Sequence, residues 1–155
     1  MQKIKIIVVG NIKEKYFMDA ICEYQKRLSR FASVCVVEVE EVLPSSKTSI
    51  EKIKEAECAK LEKQLEGYVI ALDKGGELLT SEDFAGVIDK SFMAGNGKIS
   101  FVIGGSYGLT NEFLSKVNKT VSFGKITYPH QLIRVLLFEQ IYRAETILNH
   151  ITYHK

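Results

Sequence analysis

Residues 99–150 read ISFVIGGSYGLTNEFLSKVNKTVSFGKITYPHQLIRVLLFEQIYRAETILNH, and this stretch decides the fold. Its opening run (Ile99, Phe101, Val102, Ile103) has the β-branched and aromatic composition of a short buried strand. The run empties into Gly104-Gly105-Ser106-Tyr107-Gly108. Thr110 then caps a short helix bearing Phe113, Leu114 and Val117. A second run, residues 120–123, empties into Gly124-Lys125-Ile126-Thr127-Tyr128-Pro129-His130. Pro129 suits a helix start, where its missing N–H costs nothing. Beyond it, Leu132, Ile133, Val135, Leu136, Leu137, Phe138 and Ile141 cover nearly every side of a helix. Such a helix must be buried in the domain or in a partner. Strand, glycine loop and helix thus follow each other twice.

The same unit recurs upstream. Residues 3–9 (KIKIIVV) form a β-branched run ending at Gly10-Asn11, a turn signal. Phe17, Ile21, Tyr24, Leu28 and Phe31 recur at spacings of 4, 3, 4 and 3, one face of a helix over residues 14–31. Residues 34–42 read as a strand, broken by the loop that begins at Leu43-Pro44. Thr48 with Glu51 three positions on makes a capping box opening a helix to residue 66. Its apolar face (Ile50, Ile53, Leu61, Leu65) is thin, so it is expected to lie over the surface. Residues 68–72 (YVIAL) predict a buried strand finishing at Asp73-Lys74-Gly75-Gly76. Thr80 and Asp83 repeat the capping pattern before a helix lined by Phe84, Val87, Ile88 and Phe92. Five β-α units with short turns predict one α/β domain over residues 1–155, a mainly parallel sheet with helices on both faces.

Composition is compatible with this and excludes little else. Hydrophobic residues at 46% and charged residues at 26% are those of an ordinary globular protein. No apolar run approaches the roughly 18 residues that span a bilayer, so no membrane association is expected. The first residues read as a strand rather than a signal peptide. Three cysteines (Cys22, Cys35, Cys58) fit no metal or CxxC spacing and are expected to be buried thiols of a reducing cytoplasm. Net charge is only +2, yet residues 1–30 and residues 98–155 each hold seven Lys/Arg against three Asp/Glu. A basic face of this kind suits a polyanion, and equally an unevenly charged solvated surface.

In parallel sheets ligands sit at the carboxyl ends of the strands. Three strand ends carry unusual loops here: 72–76, 104–108 and 124–129. A Walker loop needs Lys and Ser/Thr after its last glycine, whereas Leu109-Thr110 follows Gly108. The dinucleotide pattern G-x-G-x-x-G is also missing, and no acidic residue stands about twenty positions on to hold a ribose. A ligand read by backbone groups, such as an adenine edge or an uncharged ribose, fits better. On the last helix, His130 and Arg134 share a face, as do Glu139 and Arg143 in the favourable acid-first order. Arg134 has no acidic partner within helical reach and is expected to meet a ligand phosphate or a carboxylate from elsewhere. Composition alone would leave the terminal Thr152-Tyr153-His154-Lys155 frayed.

IGGSYG at 103–108, TYPHQLIRVLLFEQIYRA at 127–144, NHITYHK at 149–155 and LDKGG at 72–76 together resemble the RlmH family. These are bacterial large-subunit ribosomal RNA pseudouridine N3-methyltransferases of the SPOUT superfamily, and the resemblance spans the whole chain. It implies a single SPOUT domain whose C-terminal segment threads a loop as a deep trefoil knot, against the general rule that chains do not thread. It also implies a cytoplasmic homodimer and S-adenosyl-L-methionine as cofactor, with no metal. The cofactor positions carried over are Leu72, Gly104, Gly105, Gly124, Lys125, Ile126, Thr127, Tyr128 and Pro129. The implied reaction moves the cofactor's methyl group to N3 of a pseudouridine in large-subunit (23S) rRNA of assembled ribosomes. His130, Arg134, Tyr153 and His154 are the implied catalytic residues, with Tyr153 and His154 within reach of a neighbouring subunit. Lys155 stands where the family more usually has arginine, which keeps the charge and loses the bidentate fork. Two readings from other classes stay open: a nucleotide-binding regulatory protein, and a ribosome-associated factor without catalysis. Cofactor binding separates the first from an enzyme, and methyl incorporation separates the second.

Overall fold

A computed structural model describes all of residues 1–155. Five strands alternate with five helices: β1 (Lys3–Val9), α1 (Lys15–Leu28), β2 (Ser33–Val39), α2 (Ile50–Glu62), β3 (Tyr68–Leu78), α3 (Ser81–Ala94), β4 (Lys98–Ile103), α4 (Asn111–Lys116), β5 (Lys119–Ser122) and α5 (His130–Leu148). All strand pairs are parallel, in the order β2-β1-β4-β3-β5. The expected α/β sheet is therefore present.

Side-chain alternation along the strands assigns the helices to layers. Ile4, Ile6 and Val8 of β1, Ile70 and Leu72 of β3, and Ile99, Phe101 and Ile103 of β4 face one way. They pack under Ile21 and Leu28 of α1, Phe84, Ile88 and Phe92 of α3, and Leu137, Phe138 and Ile141 of α5. Ile7, Val9, Val69, Ala71 and Val102 face the other way, against Cys58 and Leu61 of α2 and Phe113 of α4. Each of these large side chains contributes about 1.5–3 kcal/mol by leaving water. The α5 helix lies between α1 and α3 on the larger face, which buries Leu137, Phe138 and Ile141 and leaves Leu132, Val135 and Leu136 partly exposed.

Several expectations change in detail. The α2 cap is Ser49, whose hydroxyl accepts the Lys52 N–H at 3.2 Å, rather than Thr48. Thr48 instead hydrogen-bonds Ser45 through its hydroxyl at 2.7 Å. Nor does α2 merely skim the surface: Ile53 and Leu61 are fully buried, while Ile50 is exposed. Burial of the thiols holds for Cys58 alone, since Cys22 and Cys35 are exposed and all three are free. Strand β3 does not finish at Leu72. It runs on to Leu78 through a register shift against β5 between Leu72 and Glu77. Gly76 permits this, because a Cβ there would stand 2.7 Å from the Val121 carbonyl carbon.

Candidate active site

The carboxyl ends of β3, β4 and β5 converge on one cavity of about 360 Å³, within the usual range of ligand sites. The β3 end contributes Leu72, Asp73 and Lys74, and the β4 end Ile103 with the whole 104–108 loop. The β5 end contributes Phe123, Gly124, Ile126, Thr127 and Tyr128, while His130 and Ile133 come from the start of α5. Of the cofactor positions inferred from sequence, Leu72, Gly104, Gly105, Gly124, Ile126, Thr127 and Tyr128 share this wall. Lys125 and Pro129 do not: Lys125 is exposed, and Pro129 is the N-cap of α5. The walls are mostly apolar side chains and glycine backbone. Lys74 donates to the Thr127 hydroxyl, tying the β3 end to the loop after β5. Gly108 closes its own loop by donating to the Gly105 carbonyl at 3.0 Å.

His130 enters the cavity wall from the first turn of α5, and its buried Nδ1 has no hydrogen-bond partner in the chain. One turn on, Arg134 is placed quite differently. It is 2% exposed and absent from the cavity wall. Its Nη2 donates to the carbonyls of Val9 at 2.9 Å and Gly10 at 2.8 Å, and its Nη1 to Glu38 Oε2 at 3.0 Å. Of the two partners the sequence allowed, the structure contains the carboxylate from elsewhere. Burial draws the Arg134 pKa down, and Glu38 opposes it. As placed, Arg134 fastens α5 to the ends of β1 and β2. Gln131 reinforces the same junction by accepting the N–H groups of Lys13 and Glu14 at 3.0 and 3.2 Å. Nothing in local helical spacing pointed to Gln131, and its signal appears only when α1 and α5 are adjacent.

The C-terminal residues are tied down rather than frayed. His150 adopts φ +56°, a left-handed turn that ends α5. Tyr153 then donates to Glu139 Oε1 at 3.1 Å, and Arg143 Nε donates to the same oxygen at 2.9 Å. The Arg143 guanidinium lies 4.8 Å from the Tyr153 ring centroid. His154 is bracketed by Arg143 Nη1 at 3.1 Å from its Nδ1 and Glu82 Oε1 at 2.6 Å from its Nε2. Arg143 can only donate, so Nδ1 accepts and Nε2–H donates to Glu82. The His154 contact holds Glu82 below the ordinary carboxylate value. Burial, followed by contacts with Tyr24 and Glu139, pushes the Tyr153 phenol well above its ordinary value, so it serves as a neutral hydroxyl. Neither Tyr153 nor His154 lines the cavity of its own chain.

Residues 2–154 match the sequence profile of the family described as "Predicted SPOUT methyltransferase". The chain belongs to the SPOUT methyltransferase family. Similar proteins named ribosomal RNA large subunit methyltransferase H include one from Clostridium beijerinckii, 48% identical over 98% of this chain and 99% of its own. Another, from Listeria monocytogenes serovar 1/2a, is 44% identical over the same shares. Among solved structures, a probable methylase family protein from Haemophilus influenzae Rd KW20 superposes with a TM-score of 0.57 at 17% identity, covering 98% of this chain and 70% of that one. A putative methylase family protein from Neisseria gonorrhoeae superposes with a TM-score of 0.50 at 11% identity, covering 97% and 95%. At those identities the two structures show only that the fold is shared. No helix is long and apolar enough to cross a membrane, and no group of three or more His, Cys, Asp or Glu is placed to hold a metal ion.

Proposed function

We propose that this SPOUT protein is a homodimeric, S-adenosyl-L-methionine-dependent methyltransferase acting on N3 of a pseudouridine in large-subunit ribosomal RNA within assembled ribosomes of the cytoplasm. One observation carries the reading: three glycine-bearing or irregular strand ends meet at a single, mostly apolar cavity, in a chain of a methyltransferase family. The relatives that share its length and nearly half its residues are named ribosomal RNA large subunit methyltransferase H, which supports the rRNA substrate. Residues 1–155 act as one domain, and the threading of the C-terminal segment through a knot belongs to the same proposal. The placement of α5 between α1 and α3, after a β5 that lies beyond β3 in the sheet, supports it.

The cavity fits such a cofactor. Glycine backbone at 104–105 and at 124 leaves peptide groups open to an adenine or ribose, and Leu72, Ile103 and Phe123 supply apolar surface. Lys125 and Pro129 lie on the same 124–129 loop without lining the cavity, and Pro129 starts α5. The bound cofactor supplies an already activated methyl group, so the protein's task is alignment of the acceptor. The acceptor N3–H must lose its proton as the new bond forms. His130 is the imidazole on the cavity wall, and its ring makes no hydrogen bond within the chain, so it is the side chain assigned to that proton. The base must be presented out of its stack, and the assembled ribosome is recognised by shape.

Tyr153 and His154 complete the site of a second copy, which their distance from their own cavity supports. There Arg143, held by Glu139, places His154 and keeps a positive charge beside the target ring or its phosphate. Arg134 acts one step back, by fixing the turn of α5 that carries His130.

The test is calorimetry with S-adenosylmethionine, followed by methyl incorporation into ribosomes from a strain lacking the modification. Binding together with incorporation is expected. No heat at millimolar cofactor overturns the reading, and cofactor binding without incorporation assigns the chain to a different acceptor.

A further inference from the structure

Glu57 of α2 is 3% exposed, yet only one of its carboxylate oxygens has a partner. Oε2 accepts the Val42 N–H at 3.0 Å, from the loop between β2 and α2. Oε1 is buried and unpartnered. It fills the space that a side chain on Gly105 would occupy, for a Cβ built there would collide with it, and the Glu57 carboxyl carbon lies 3.1 Å from the same point. Gly105 lines the cavity, whereas Glu57 lies outside its wall. The carboxylate therefore sits behind the glycine loop, on the side away from the ligand.

A buried acceptor without a donor is costly, and native structures keep such groups for a reason. Leaving a buried acceptor unpaired costs more than a hydrogen bond to it gains in water, so the free oxygen favours any loop arrangement that turns an N–H towards it. The 104–108 loop is the nearest source. We propose that Glu57 is a positioning residue for the cofactor loop. When the cavity is filled, its free oxygen accepts a backbone N–H from residues 105–107 and holds the loop in its ligand-bound shape. Through Oε2 and Val42, the same side chain joins that loop to the connection between β2 and α2. Gly105 is then required twice, for its backbone approach to the ligand and for its lack of a Cβ against Glu57.

This inference rests on the cavity being the S-adenosylmethionine site, and its test separates the two. Calorimetry on the full-length wild-type protein tests the site itself. Glu57→Gln keeps the size and an oxygen for Val42, but replaces the free acceptor with an amide. It is expected to raise the cofactor Kd and KM about ten-fold, with kcat at saturating cofactor and the melting temperature nearly unchanged. A purely structural Glu57 would shift melting and leave Kd alone. Wild-type binding with an equal Kd for Glu57→Gln overturns the inference and leaves the site intact. Should the variant fold poorly, amide hydrogen exchange on the wild-type protein decides. Added cofactor should slow exchange at an amide of residues 105–107, and no added protection there overturns the inference equally.

Discussion

At the residue scale, His130 and Arg134 show how two positions four apart on one helix divide two tasks. His130 faces the cavity, while Arg134, one turn away, is consumed by two carbonyls and Glu38. His130→Ala should therefore lower methyl transfer by 10²-fold or more, the span of a lost proton acceptor, with cofactor affinity changed far less. An unchanged rate in a single-turnover assay removes His130 from the chemistry. Arg134→Ala should lower stability by about 2 kcal/mol, because it strands the carbonyls of Val9 and Gly10 while the exposed Glu38 returns to water, and a denaturant melt reads it. A third residue gives a pH dependence. Glu145 is 3% exposed, and burial, with Asp89 adding to it, lifts its pKa to about 7. A carboxyl raised on folding contributes stability below its unfolded value near 4.5 and loses it as pH rises towards 7. Glu145→Gln should thus be neutral near pH 4 and raise the melting temperature by several degrees at pH 8. Equal shifts at both pH values would show that ionisation is not involved.

At the scale of elements, hydroxyl caps set where helices begin beside the site. Thr110 accepts the Phe113 N–H at 3.0 Å and starts α4 directly after the 104–108 loop. Thr110→Ala should cost about 1 kcal/mol of stability and loosen the loop enough to weaken cofactor binding, which a melt and a binding titration read together. The capping pattern was legible in sequence for Thr80 and Thr110, each followed by an apolar run at helical spacing. It misplaced the start of α2 by one residue, since Thr48 and Ser49 are adjacent hydroxyls and only the chain's path decides which one faces the free N–H groups. The run of strand residues ending at Leu72 was legible too. The continuation to Leu78 was not, because it depends on Gly76 pressing against the backbone of β5 rather than on side-chain alternation.

For the whole molecule, α5 is half-covered by α1 and α3, and Leu136 remains partly exposed beside Gln140 on a second hollow that shares Phe123, Gly124 and Tyr128 with the strand-end cavity. Charge reversal there (Leu136→Glu) should break dimers and activity together, as read by light scattering and methyl incorporation. A fully active monomer would refute a site shared between subunits. By itself the sequence determined the five β-α units, the parallel sheet and the three loops, because periodicity and glycine punctuation are local properties. It also carried the family, through long strings of matching residues along α5 and on both sides of it. Only the tertiary structure decided which loop residues face one cavity, that Arg134 is spent on β1 and Glu38, and that the last residues fold back on Glu139 and Glu82. It alone placed Glu57 behind Gly105. Those facts depend on pairs 14 to 125 positions apart, and no helical or strand period relates residues that meet only when separate elements pack.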